Sequence, residues 1–234
     1  MTTGTGPRYA IYYAPEPGSP LDTFGRSWFG NSANGRPPGA NAKLGPNKIA
    51  ALSESSRRYG LHGTLKPPFA LNPGTTSESL LEAARVFARS LTPVEIPPLE
   101  LVTIAKFIAL SPTTQSAALE KLSAACVRGF EAYRGPLSNE QVENYRFNKL
   151  TVHQEQMLHH WGYPYVMEEF RFHISVTDPI DDPKERQEAM TAIETLAAPV
   201  LGKASTIREL TLFSQPGLYE PMVAMERIPF GRDA

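Results

Sequence analysis

Arg58-Tyr59-Gly60-Leu61-His62-Gly63-Thr64-Leu65-Lys66-Pro67-Pro68-Phe69 and, much later, Phe170-Arg171-Phe172-His173-Ile174-Ser175-Val176-Thr177 are the two stretches from which the fold is read. Each is a short strand-like run carrying a histidine with a hydroxyl residue two positions on. Side chains at i and i+2 of a strand leave the same face. His62, Thr64 and Lys66 are therefore expected in one row, and Arg171, His173, Ser175 and Thr177 in another. Two rows of imidazole, hydroxyl and cation suit the binding of a phosphate ester.

Working outward, Tyr9 to Ala14 is aromatic and branched and stops at Pro15, the pattern of a strand. Leu21–Phe29 reads as a short helix with Ser19 or Asp22 near its start and Gly30 past its end. The Gly-, Pro- and Asn-rich run over residues 31–47 reads as a long loop of the kind that serves as a lid or stays mobile. Thr76–Leu91 repeats apolar residues at helical spacing. After Pro97-Pro98, Leu99–Ala105 and Phe107–Leu110 read as strands, and Ser116–Tyr133 as a helix burying Leu119, Leu122, Cys126 and Phe130. Glu140–Trp161 is polar and helical. Beyond the second histidine stretch come a helix over Pro183–Leu201, opened by Asp182 and Pro183, and strands over Ile207–Phe213 and Met222–Phe230.

Aligned on the two histidines, each half runs strand, helix, strand, strand, with little shared sequence beyond the His-x-Ser/Thr core. The expected fold is α+β: one bilobal domain over residues 1–234. Two pseudo-symmetric lobes, 50–115 and 165–230, of antiparallel strands flanked by helices face each other across a central cleft. Strand 8–15 and helices 116–161 complete it.

Composition sets the outer bounds. The 234 residues suffice for a substantial core, and 41% hydrophobic with 20% charged is the profile of an ordinary globular protein. A formal net charge of −1 offers no global attraction to nucleic acid or to an anionic membrane. No apolar run reaches the length of a membrane span, and the first residues lack the pattern of a signal peptide. One cysteine, Cys126, excludes an internal disulfide and a thiolate zinc cluster, and its helical setting reads as buried packing. The simplest reading is a cytoplasmic protein.

His-x-Ser/Thr alone is a weak signal, because Ser and Thr fill 33 of the 234 positions and five histidines give chance matches easily. Context carries the weight: both motifs sit on strands, both have a cation in the row, and both precede helix-strand-strand. The pair His62-Gly63-Thr64 and His173-Ile174-Ser175 resembles the signature of the two-histidine (2H) phosphoesterase superfamily. Within it, Arg8 to Pro15, the Leu61-His62-Gly63-Thr64-Leu65-Lys66-Pro67-Pro68-Phe69 block and Arg171-Phe172-His173 are similar to a bacterial family associated with phosphonate-metabolism operons. The likeness runs roughly from Arg8 to Phe230, with Ser175 standing where Thr is common.

That resemblance implies two similar lobes contributing one motif each, and metal-independent opening of a cyclic phosphodiester with no cofactor. His62 and His173 would be general acid and base, as imidazoles near neutral pH allow. Thr64 and Ser175 would hold the non-bridging oxygens, and Lys66 and Arg171 would balance the phosphate charge. The implied partner is a small phosphorylated sugar or nucleotide, with no membrane and no long nucleic acid. An RNA-end-binding or 2′-5′ ligase-like protein and a non-catalytic phosphosugar-binding module use the same residues.

Several residues have a plainer reading. Lys66, preceding Pro67, also fits the end of a strand pointing to solvent. Tyr9, Tyr12, Tyr13 and Tyr59 fit the core better than a sugar-stacking role. His153, His159 and His160 fit a solvated helix face, and Asp178, Asp181 and Asp182 fit turns and caps.

Overall fold

The computed structural model describes residues 6–30, 39, 43–147 and 149–231. In chain order the elements are β1 (Arg8–Tyr13), α1 (Pro20–Phe29), α2 (Pro46–Leu52), α3 (Ser56–Tyr59), β2 (Gly63–Ala70), α4 (Ser77–Ala88), β3 (Val94–Ile96), β4 (Leu99–Ile104), β5 (Phe107–Pro112) and α5 (Ala117–Gly129). There follow α6 (Asn139–Arg146), α7 (Val152–Trp161), β6 (Ile174–Ser175), α8 (Pro183–Ala197), β7 (Ser205–Ile207), β8 (Glu209–Gln215) and β9 (Val223–Pro229). Among the described residues, an antiparallel sheet has the order β4-β5-β6-β2-β1-β8-β9, and β3 pairs with β7 in a separate ribbon. The fold class is α+β.

Local sequence explains where the helices start. Ser19 caps α1 ahead of Pro20, and Asp182 caps α8 ahead of Pro183. The single polar helix expected over Glu140–Trp161 is two helices. Ser138 with Gln141 and Thr151 with Gln154 each form a capping box, so the chain starts a helix twice. Of the loop expected over residues 31–47, positions 31–38 and 40–42 lie outside the described residues, and α2 already begins at Pro46. The second histidine stretch is strand only at Ile174–Ser175, so His173 immediately precedes it, as His62 immediately precedes β2.

The repeated order of elements is present, but the two halves interleave instead of standing side by side. The β4–β5 hairpin of the first half pairs with β6 of the second, while the β8–β9 hairpin of the second joins β1 beside β2 of the first. Helix α4 correspondingly packs on β8 and β9, and α8 against β5. Two pairings join equivalent elements of the halves, β2 with β6 at Gly63–Ile174 and the ribbon β3–β7. The centre of the repeat thus falls between the two histidines.

The main core lies on one face of the sheet. Ile11, Leu65, Ile108, Leu110, Ile174 and Leu212 meet helical residues such as Leu80, Leu122, Cys126 and Ile193 there. The opposite face of β1 carries Ala10 and Tyr12, which join Ala14 just past the strand, Phe213 and Met222 in a smaller cluster, and α3 adds Tyr59.

A bulge in β2 decides the fate of Lys66. Tyr12 pairs with Thr64, but Ile11 pairs with Lys66, so Leu65 is an extra residue on β2. Directly paired residues share a face. Thr64 therefore lies on the Tyr12 side, and Lys66 crosses to the Ile11 side, under the helices. Its side chain is 2% exposed, and its ammonium donates to the Val127 carbonyl at 2.9 Å and to Glu131 at 3.0 Å. Neither expectation for Lys66, substrate cation or solvent-facing strand end, describes this position. It ties the sheet to α5. Burial pulls its pKa down against the opposing pull of Glu131. Glu131→Ala is expected to cost about 3 kcal/mol in urea unfolding, the low end for breaking a buried pair because Glu131 is partly exposed. Lys66→Met, assayed while folded, is expected to change turnover less than about threefold, the behaviour of a residue remote from the chemistry.

Candidate active site

The single β2–β6 pairing builds the site. Gly63 faces Ile174 in antiparallel register. Continuing that register one residue each way sets Thr64 opposite His173 and Ser175 opposite His62. All four fall on the face opposite the main core, because Phe172, Ile174 and Val176 fill the other. His62 and His173 are then diagonal neighbours across two adjacent strands, with Cα atoms about 7–8 Å apart. Burial lowers the pKa of His62, and positive charge on His173 adds to that lowering.

Both rings are held in the same way. Nδ1 of His62 lies 2.8 Å from the Gly60 carbonyl, and Nδ1 of His173 lies 2.8 Å from the Arg171 carbonyl. A carbonyl oxygen only accepts, so each Nδ1 carries a proton and donates it. In the neutral ring, Nε2 is then the free lone pair on the side away from the backbone. The repeat thus extends to an identical i to i−2 hydrogen bond that fixes two imidazoles in one tautomer.

Tyr12 stacks on His62 with ring centroids 4.1 Å apart at 25°, and Tyr59 sits 5.9 Å away. Phe107 flanks His173 at 5.7 Å. These aromatic walls take water from the imidazoles, and burial pushes both pKa values down, that of His62 to about 4. Between about pH 4 and 6.5 the unfolded chain therefore binds a proton that folded His62 refuses, so the native state loses stability as pH falls through that window. Urea midpoints taken across it should fall with pH, and less steeply in His62→Gln.

The other candidates separate clearly. Arg171 is exposed in the row of His173, with Nη1 donating to the Glu168 and Phe170 carbonyls and its remaining donors free of those bonds. Thr177 leaves that row: the Val176 and Thr177 amides both reach the Ile108 carbonyl, a local irregularity that buries the Thr177 hydroxyl against the Ile108 amide. Lys66 is on the far face. Asp178 accepts from the Ser55 and Ser56 amides and the Ser56 hydroxyl, capping α3 from across the site, and Asp182 caps α8. Cys126 is fully buried, and burial pushes its thiol pKa up. His159 and His160 are exposed on α7. Among the described residues, no three His, Cys, Asp or Glu side chains gather as a metal site. No helix described is long and apolar enough to cross a membrane. Tyr12 and Tyr59 do pack in the smaller cluster, as expected from sequence, and both rings also contact His62.

Two His-x-Ser/Thr motifs on the open face of one antiparallel sheet, each with its ring locked by a backbone carbonyl, define a paired-histidine protein. The family described as "Protein of unknown function (DUF1045)" matches residues 64–223, and the chain belongs to it. A curated relative from Janthinobacterium sp. (strain Marseille), named ribose 1,5-bisphosphate phosphokinase PhnN, is 31% identical over 229 residues, covering 95% of this chain and 51% of its own. The chain thus spans about half the length of that relative. Among solved structures, E. coli LigT complexed with NADP+ shares 11% identity over 98% of this chain and 100% of its own, with a TM-score of 0.47. One described as a phosphoesterase shares 10% over 97% and 99%, with a TM-score of 0.48. At such scores these likenesses carry no argument about the site, which rests on its own geometry.

Proposed function

We propose that this chain hydrolyses a cyclic phosphodiester of a small sugar or nucleotide, without a metal ion, using His62 and His173 as base and acid. The observation that carries the reading is the pair of matched Nδ1–carbonyl bonds, which leave two Nε2 atoms free on one face of adjacent strands. His62, with the pKa pushed to about 4, is unprotonated through the neutral range and takes the proton of water. The oxygen–phosphorus bond to water forms as the ring oxygen–phosphorus bond breaks, and protonated His173 gives its Nε2 proton to the departing sugar oxygen. Exchange with solvent then returns both rings to their starting states. Thr64 and Ser175 donate to the non-bridging oxygens, and Arg171 offsets their charge.

The kinase activity in the relative's name is not carried over. The match covers half of that protein. This chain also has no G-x-x-x-x-G-K-[ST] run with which to cradle nucleoside triphosphate phosphates. Phosphonate breakdown remains the proposed setting, on the resemblance of the Leu61–Phe69 block.

The test is incubation with ribose 1,2-cyclic phosphate and with 2′,3′-cyclic nucleotides in EDTA, followed by ³¹P NMR. Ring opening to a phosphomonoester that survives chelation is expected. Binding without turnover would point instead to a phosphosugar-binding module, and salt-sensitive capture of oligonucleotide ends to an RNA-end-binding protein.

A further inference from the structure

Arg8 is a cation that the histidine chemistry leaves unused. It starts β1 on the face that carries Ala10 and Tyr12 further along, the face of the histidine site. Its guanidinium is fixed from behind: Nε donates to Oε1 of Gln215 at 3.0 Å, and Nη2 donates to the same oxygen. Gln215 is fully buried and is itself anchored, its amide nitrogen donating to the Leu218 and Glu220 carbonyls. The side chain is thus aimed, and no carboxylate pairs with it among the described residues. A half-buried guanidinium without an acidic partner bears a desolvation cost that a bound anion would offset.

Tyr59 spans the interval between Arg8 and the reacting centre. Its hydroxyl meets Nη2 of Arg8 at 3.4 Å, and its ring lies 5.9 Å from that of His62. One phenol therefore separates the guanidinium from the imidazole, an interval comparable to a sugar ring. A guanidinium fork beside a phenolic donor suits a tetrahedral oxyanion.

We propose that Arg8, with the hydroxyl of Tyr59, binds a second phosphate of the substrate, so that the molecule opened at the histidines is a cyclic phosphate that also bears a phosphomonoester. This deepens the hydrolase reading and rests on it for the reaction, though not for the binding. A phosphorylated sugar and a nucleotide with a free 5′-phosphate share this chemistry, and the substrate arms of the test distinguish them.

The experiment compares kcat/KM for ribose 1,2-cyclic phosphate with and without a 5-phosphate, and for 2′,3′-cyclic nucleotides with and without a 5′-phosphate. It is run on the unmodified protein, Arg8→Met and Arg8→Lys. Calorimetry with ribose 5-phosphate against ribose reads the subsite without turnover. The unmodified protein should favour the doubly phosphorylated form of one pair by about 10–100-fold, mainly through KM, as a charge-assisted contact predicts. Arg8→Met should bring that ratio near one and abolish the advantage of ribose 5-phosphate in binding. Arg8→Lys, which keeps the charge and loses the fork, should fall between, and thermal melts establish that each variant is folded. Equal binding of ribose and ribose 5-phosphate, or a ratio unchanged in folded Arg8→Met, would overturn the subsite. If no cyclic ester is opened while ribose 5-phosphate binding still depends on Arg8, the hydrolase reading fails and the subsite stands.

Discussion

His62→Ala and His173→Ala should each lower kcat for opening of a cyclic phosphate by about 10²–10⁴, the value of one proton transfer by a positioned group. The double variant should be little worse than the poorer single one, because base and acid act in the same step and their losses do not add. Thr64→Val and Ser175→Ala should lose less, since each removes one donor to an oxygen that water still reaches. The pH dependence separates the two imidazoles. His62 must be unprotonated and His173 protonated, so kcat/KM should fall on the acid side near the His62 value of about 4. On the alkaline side it should fall below pH 6.5, since burial also lowers His173. His62→Ala should erase the acid limb and His173→Ala the alkaline one. Steady-state kinetics across the window check both, and a flat profile would remove the proposed roles.

Gly63→Ala should be the most damaging change that touches no proposed catalytic group. A Cβ on Gly63 would lie 2.6 Å from Cε2 and Cζ of Phe172, whose ring is buried in the core. The ring has little room to move, so the two strands must part or the Phe172 side chain must leave its rotamer. Both displace a histidine, because Gly63 follows His62 and Phe172 precedes His173. Overpacking of this kind costs about 1–3 kcal/mol, and the misplacement should cost turnover about 10²-fold. Phe172→Leu in the Gly63→Ala background should recover part of both losses, a coupling that a double-mutant cycle measures. Gly63→Ala with unmodified stability and rate would show that the two motifs are not pressed together at this pair.

These effects trace back to what one strand can announce locally and what it cannot. His62 with Thr64, and His173 with Ser175, were legible because the i, i+2 rule acts within a few residues. The repeated strand-helix-strand-strand order was legible because helix periodicity and caps are also local. Lys66 was not: one extra residue, Leu65, reverses its face, and a bulge is defined by the partner strand. Interleaving of the halves was hidden for the same reason, since strand order is a property of pairing between distant segments. Tyr12 and Arg8 looked like ordinary residues of an aromatic strand. Only the pairings Tyr12–Thr64 and Arg8–Gln215 show which face of the sheet they share and with which neighbours. The break between α6 and α7 did have a sequence signal, two Ser/Thr-x-x-Gln boxes thirteen residues apart, masked by the continuous polarity of the segment.

The central claim is that the Nε2 atoms of His62 and His173 converge on one phosphorus, and the most direct measurement is a crystal structure of the protein with inorganic phosphate bound. One anion is expected on the open face between β2 and β6, with both Nε2 atoms within hydrogen-bond reach, about 2.6–3.2 Å, and the Thr64 and Ser175 hydroxyls on its oxygens. Phosphate held elsewhere, with the two rings turned to separate surroundings, would contradict the account.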